Sequence, residues 1–438
     1  MDYEWVICSQ FRPMSALLHR IFDLYVKAFS GLPRKVWLLA LVLLVNRSGA
    51  MVVVFLSVYL INDLDYAPIK AGYVMAAFGA GGIAGNYIGG LLNDRFGSWH
   101  IMFYSMIGAG LLNIILGQMD QFWSLCLMSF LISLFADAFR PANRAAVAIY
   151  APPGKLTQSF GLLRMAVNLG LSIGPAIGGW LIHRYGFQLM FWGDGITFLL
   201  AAGVFYFALP PDETARPLVT EEEKDAAGQP RPAPAAAPAH RQPWLLVFVV
   251  ANVAIILCFF QLFGPLPAFL SESGYNEQMI GLLLTINGLL IVAVEMPMLY
   301  VMERRFRPIP IMVIGGLLIA VGYLLLPAGV STGFVVLFIM MIFLTIGEIL
   351  YMPFTNTYVS EHAPPKRRGE YLGMLSASYS AAFVLAPLIG FGIAENRGYA
   401  TATFACCGIA AVGCLLLSRV NMIREKATPS ARQQPSLK

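Results

Sequence analysis

The chain has 438 residues, of which 58% are hydrophobic and only 12% charged, with a formal net charge of +5 at pH 7. Soluble domains carry roughly a quarter charged residues, so this chain lacks the polar surface to cover a water-soluble core of its size. An integral membrane protein follows, whose basic excess belongs to one side of a bilayer; nucleic acid is excluded as a partner.

In chain order, residues 1–35 carry Asp2, Glu4, Arg12, Arg20, Lys27 and Arg34, a scatter incompatible with a cleavable signal peptide and expected to be a cytoplasmic segment. Apolar runs long enough to cross a bilayer as helices, about 20 residues each, then follow. The first six are Val36–Ile61, Ala71–Leu92, Ile101–Gly117, Phe122–Ile149, Phe160–Ile182 and Phe187–Leu209, giving a bundle over 36–209. Residues 210–243 change character: an acidic run at Glu221–Asp225 gives way to Ala and Pro, which reads as a cytoplasmic tether. Six more runs follow at Trp244–Leu270, Met279–Met302, Ile309–Leu326, Phe334–Val359, Tyr371–Ala394 and Thr401–Leu417, a second bundle over 244–417. Residues 418–438 form a tail. Unbroken runs exclude a β-barrel, so the fold class is all-α with twelve transmembrane helices.

Basic residues fall on alternate loops: Arg34 and Lys35, Arg95, Lys155, the Arg304/Arg305/Arg307 cluster, Lys366/Arg367/Arg368, and Arg419, Arg424 and Lys426. That asymmetry places both termini in the cytoplasm, most simply of a bacterial inner membrane. The six cysteines show no CxxC pair and the five histidines no metal-ligand spacing. No phosphate-cradling loop is present. Neither cofactor nor metal is expected, and enzyme chemistry and ATP as an energy source are set aside.

The two halves repeat. Pro141, Pro152, Gly161, Leu163, Pro175, Gly178 and Gly186 have counterparts in Pro353, Pro364, Gly373, Leu375, Pro387, Gly390 and Gly398, each pair 212 positions apart. Six plus six helices repeated in the same orientation suit a transporter that rocks about a central site.

Two motifs sharpen this. After the second run comes Gly90-Leu91-Leu92-Asn93-Asp94-Arg95-Phe96-Gly97, and the fifth carries Gly170-Leu171-Ser172-Ile173-Gly174-Pro175-Ala176-Ile177-Gly178-Gly179. The first resembles the signature of the major facilitator superfamily. The second resembles its antiporter motif, found in the twelve-helix drug:proton antiporter group, although Ser98, Trp99 and His100 replace the usual basic residues after the first. The resemblance implies a conformational latch at Gly90, Asp94, Arg95 and Gly97; Arg144, near the cytoplasmic end of the fourth run, is expected as the structural partner of Asp94. It implies export for the glycine motif, whose small residues also allow close helix packing.

Charges at membrane depth cost at least about 2.5–3.5 kcal/mol each and so need a partner or a task. Asp137, Arg140 and Arg144 share one helical face. Asp137 and Glu348 each suit either a proton-exchanging carboxylate or a static ion pair. Arg47, Arg140 and Arg164 are candidates for the substrate cavity, with Phe139 and Tyr351, and with Phe259, Phe260, Phe263, Phe354 and Tyr358 as further aromatic lining. Glu295 reads as structural and Asp194 as a helix-end cap. The expected function is proton-coupled export of an amphipathic small molecule by a monomer in the lipid bilayer; the alternative is uptake of a peptide, sugar or siderophore.

Overall fold

The computed structural model describes residues 29–152, 155–209, 211, 238–364 and 367–427. Among these, twelve helical spans are long and apolar enough to cross a membrane. Spans 1 to 6 are Arg34–Asn62, Pro68–Phe96, Ser98–Leu116, Phe122–Tyr150, Gln158–Tyr185 and Gln188–Ala208. Spans 7 to 12 are Pro243–Phe263, Glu277–Leu299, Pro308–Thr332, Phe334–His362, Arg368–Arg397 and Tyr399–Glu425. No strand occurs among the described residues. Most of the expected tether and of both terminal segments lies outside them. The last helix runs on to Ala427, beyond the expected end at Leu417, so the first part of the expected tail is helical.

Two spans expected to be continuous are broken. Span 1 consists of helices Arg34–Ser48 and Val52–Asn62, interrupted at Gly49–Met51. Span 7 runs as helix Pro243–Phe259, tightens into a 3₁₀ turn at Phe260–Phe263, turns at Gly264 and restarts as Pro265–Glu272. Gly49 and Gln261 are themselves 212 positions apart, so the breaks obey the internal repeat. The same spacing relates Gly186 (φ +85°) to Gly398 (φ +80°), which end spans 5 and 11 in a conformation open mainly to glycine.

The side on which span 1 begins carries the basic loops and is called the basic side below. The halves meet most closely on the opposite side. There Ser57 donates to the Gly264 carbonyl (3.0 Å), Asn62 Nδ2 to Ser271 Oγ (2.6 Å), and the Ile69 N–H to Glu395 Oε2 (2.8 Å). Along span 2, Gly72 and Gly79 face Pro387, Phe391, Phe383 and Val384 of span 11, whereas Gly81, Gly82, Gly85 and Gly89 face span 4 of their own half. Spans 5 and 8 stay together: Gly179 lies against the Glu277 backbone, and Thr285 donates to the Ser172 carbonyl at 2.8 Å. Spans 2 and 11 thus part towards the basic side, and the space between them is the cavity.

Candidate functional site

A cavity of about 590 Å³ lies between the halves, lined by spans 1 to 6 on one wall and by spans 7 and 11 on the other. The walls differ in chemistry. The first carries every charged lining residue: Arg47, Asp137, Arg140, Arg144, Arg164 and Asp194. The second presents Phe260, Phe263, Phe383, Tyr379 and Ser380, with the Phe260 and Phe383 rings edge to face at 5.0 Å.

The expected cavity residues Arg47, Arg140, Arg164 and Phe139 all line it; Tyr351 does not. Tyr351 is fully buried inside the second half, where its hydroxyl donates to Asn252 Oδ1 at 3.0 Å. The sequence offers it only as an aromatic side chain within span 10, and a hydrogen-bond partner on span 7 turns it into the bundle core. Phe259, Phe354 and Tyr358 are buried there as well. Five aromatics not singled out by sequence, Phe78, Phe160, Phe198, Tyr379 and Phe383, also line it, as does Leu171, the residue between Gly170 and Ser172.

Asp137 accepts an ion pair from Arg140 Nε at 2.8 Å, so the static partner foreseen in the sequence is made. Gly82 of span 2 leaves the room for that carboxylate, since a Cβ there would lie 2.5 Å from Asp137 Oδ2. Glu348 of span 10 is not part of the lining and accepts from Asn287 Nδ2 at 3.0 Å; the same amide reaches Thr345 Oγ1 at 3.0 Å. Asp137 and Glu348 therefore belong to different halves, and only Asp137 reaches the cavity lining.

Glu295 bonds Arg164 across the two halves. The Arg164 side chain is 43% exposed to the cavity while that of Glu295 is 5% exposed. Sequence spacing carried no trace of this pair, whose members lie 131 residues apart.

Asp194 is also buried, and its two oxygens accept the Met51 and Val52 N–H groups at 3.0 and 2.9 Å. It caps a helix, as expected, but the helix belongs to span 1 and not to its own span. Orphan N–H groups at a helix start take a carboxylate well. The glycine motif packs on this break: a Cβ at Gly170 would meet Arg47, one at Gly174 would lie 3.2 Å from the Ala50 nitrogen, and one at Gly178 would meet Met51. Gly179 faces the other way, onto span 8, and Pro175 sits inside the helix.

At the expected latch, Gly97 takes φ +81° and turns the chain between spans 2 and 3. Asp94 and Arg95 are exposed beside it, and a side chain at Gly90 would meet nothing within 4 Å. The expected Asp94–Arg144 pair is absent among the described contacts. Arg144 lines the cavity instead, because its position on span 4 shares the face of Asp137 and Arg140. No group of acidic, histidine or cysteine residues suited to a metal occurs among the described residues.

These features match known proteins. The family model of the Major Facilitator Superfamily covers residues 36–276 and 254–437. A Bacillus subtilis (strain 168) protein described as an uncharacterised MFS-type transporter, YqjV, is 25% identical over 361 residues, 79% of this chain and 82% of that one. The multidrug resistance protein MdtH of Yersinia enterocolitica is 25% identical over 331 residues, 76% of this chain and 79% of its own. Among solved structures, a peptide transporter POT in complex with sulfate superposes with a TM-score of 0.75 at 18% identity, covering 91% of this chain and 96% of that chain. Twelve spans in two repeats around a shared cavity, together with the family match, make this chain a multi-pass membrane transporter of small solutes, not an enzyme, and it belongs to the Major Facilitator Superfamily.

Proposed function

We propose that the protein is a proton-coupled antiporter that exports amphipathic small molecules by alternating access, as a monomer, from a bacterial cytoplasm on its basic side. The observation that carries this is the cavity: about 590 Å³, closed on one side, and walled partly by aromatic rings. Pockets of 300–1,000 Å³ with apolar walls and a few fixed polar groups suit drug-sized ligands. The distant likeness to a multidrug resistance protein and the glycine motif on span 5 support the direction.

In this reading Asp137 and Glu348 handle the proton. Asp137 trades Arg140 for a proton when the cavity fills or turns, because a carboxylate between water and an apolar seal changes proton affinity with access. Glu348, held by an amide and in no ion pair among the described residues, is the simpler carrier.

The test is transport of a panel of amphipathic dyes into everted vesicles acidified inside, for wild type, Asp137→Asn and Glu348→Gln, normalised to folded protein. Loss of uphill accumulation in both variants, with exchange across the membrane retained, is expected. Wild-type accumulation in both would end the assignment.

A further inference from the structure

We infer that the cavity takes an amphipathic anion, its carboxylate, sulfonate or phosphate held by Arg47 and Arg144 and its apolar body laid on the aromatic wall of spans 7 and 11. The inference rests on the transporter reading only in taking this cavity as the substrate site.

The charges on the lining do not balance. Four arginines face two carboxylates, and both carboxylates are committed: Asp137 to Arg140, Asp194 to two backbone N–H groups. Arg164 is committed to Glu295. Arg47 and Arg144 are left with no hydrogen bond or ion pair among the described residues. They are also close to further positive charge. Arg144 lies one turn beyond Arg140 on span 4, and Arg47 lies within electrostatic reach of both Arg140 and Asp137. Three guanidinium groups thus share one carboxylate. Like charges so placed repel, and at membrane depth each bare cation costs at least about 2.5–3.5 kcal/mol. An anion entering from the basic side relieves both penalties, and the planar guanidinium fork matches a carboxylate or phosphate better than an ammonium would.

A second, independent feature points the same way. Asn46, beside Arg47 in the chain, is buried and lines the cavity, and its Nδ2 donor has no partner. Buried donors without partners are rare and mark sites where a ligand completes the bonding. An acceptor oxygen held by Arg47 would fill it. Opposite, Phe260, Phe263 and Phe383 offer apolar surface with no charge among them. A cation would meet three arginines and no free carboxylate, so the same wall that attracts an anion rejects its positively charged analogue.

A matched pair of probes tests this: dansyl-glycine, an anion, and dansyl-ethylenediamine, a cation with the same fluorophore. Binding is measured by equilibrium dialysis on full-length protein in nanodiscs of zwitterionic lipid, without a proton gradient. The anion is expected to bind at least about tenfold more tightly than the cation. Arg47→Gln and Arg144→Gln should each raise its Kd about tenfold or more, as loss of one charge-assisted bond predicts, while cation binding stays level or improves. Arg144→Lys should recover part of the loss, and Phe383→Ala should weaken both probes alike. Arg144 is exposed to the cavity rather than packed, so its variants remain decisive if Arg47→Gln fails to fold. Equal or tighter binding of the cation, no saturable binding of either probe, or an anion affinity unmoved in Arg144→Gln would overturn the inference. Failure of proton coupling reads out separately: an anion that binds through Arg144 but is not driven by a pH gradient sinks the antiporter assignment and leaves the anion site standing.

Discussion

The broken spans of the two halves occupy equivalent positions and are held by different chemistry. In the first half, Gly49 lets span 6 approach, Gly174 lets span 5 approach, and the buried carboxylate of Asp194 takes two backbone N–H groups. In the second, Gln261 stands where Gly49 does, and its amide donates to the Leu257 and Ala386 carbonyls at 3.2 and 3.0 Å. Ala386 is the counterpart of Gly174, Gly390 that of Gly178, and Cys406 that of Asp194. Pro265 opens the helix after the second break and has no N–H to satisfy, which removes part of the demand Asp194 meets in the first. One half solves the problem with a charge and bare backbone, the other with a neutral side chain and an imino acid. Equivalent backbone geometry therefore does not require equivalent residues, and the first break alone depends on a titratable group.

Breaking that comparison at its charged end should have the largest effect. Asp194→Ala strands two buried N–H donors and is expected to destabilise the first half by about 3–5 kcal/mol. Gln261→Leu removes two neutral bonds and should cost about 1–2 kcal/mol. Thermal unfolding of the detergent-solubilised variants, followed by intrinsic fluorescence, ranks them; equal shifts would mean the two breaks are held alike.

Packing comes next. A Cβ at Gly174 already lies 3.2 Å from the Ala50 nitrogen and 3.3 Å from the Ser48 carbonyl oxygen, so Gly174→Leu should force span 5 off the break at about 1–3 kcal/mol. Leu171→Ala, on the cavity side of the same helix, should change ligand binding more than stability. A Gly174→Leu carrier with wild-type melting and transport would show that close approach of spans 1 and 5 is dispensable.

The smallest effect is expected at the latch. Asp94 is exposed and unpaired among the described residues, so Asp94→Asn should alter stability by less than about 0.5 kcal/mol. Its consequence should appear only in the balance of states, read by cysteine accessibility on the two faces. Unchanged labelling with unchanged transport would remove Asp94 from the mechanism.

The twelve spans were legible because each is a long apolar run, and the repeat was legible because prolines and glycines hold their spacing through both halves. The breaks were not. A three-residue interruption inside an apolar run leaves the hydropathy intact, and the group that makes it tolerable, Asp194, lies 143 residues from Met51. The Asp137–Arg140 pair was visible because it sits within one helical turn, whereas Arg164–Glu295 joins different halves and was invisible for the same reason. Tyr351 shows the reverse error: an aromatic side chain within a span can line a cavity or fill a core, and the partner waiting for it, here Asn252, decides which.

The break in span 1 also has a mechanical meaning. The helix beyond it, Val52–Asn62, has 11 residues and so an arm of about 16 Å, close to half the roughly 30 Å hydrocarbon thickness of a bilayer. The pivot therefore sits near mid-depth, level with the cavity. A swing of about 10° there carries the tip by about 3 Å, as long as the Asn62–Ser271 and Ser57–Gly264 bonds themselves. With its counterpart Pro265–Glu272 mounted on the second break, the far-side seal is a pair of short levers, which a small rotation can part without bending any helix.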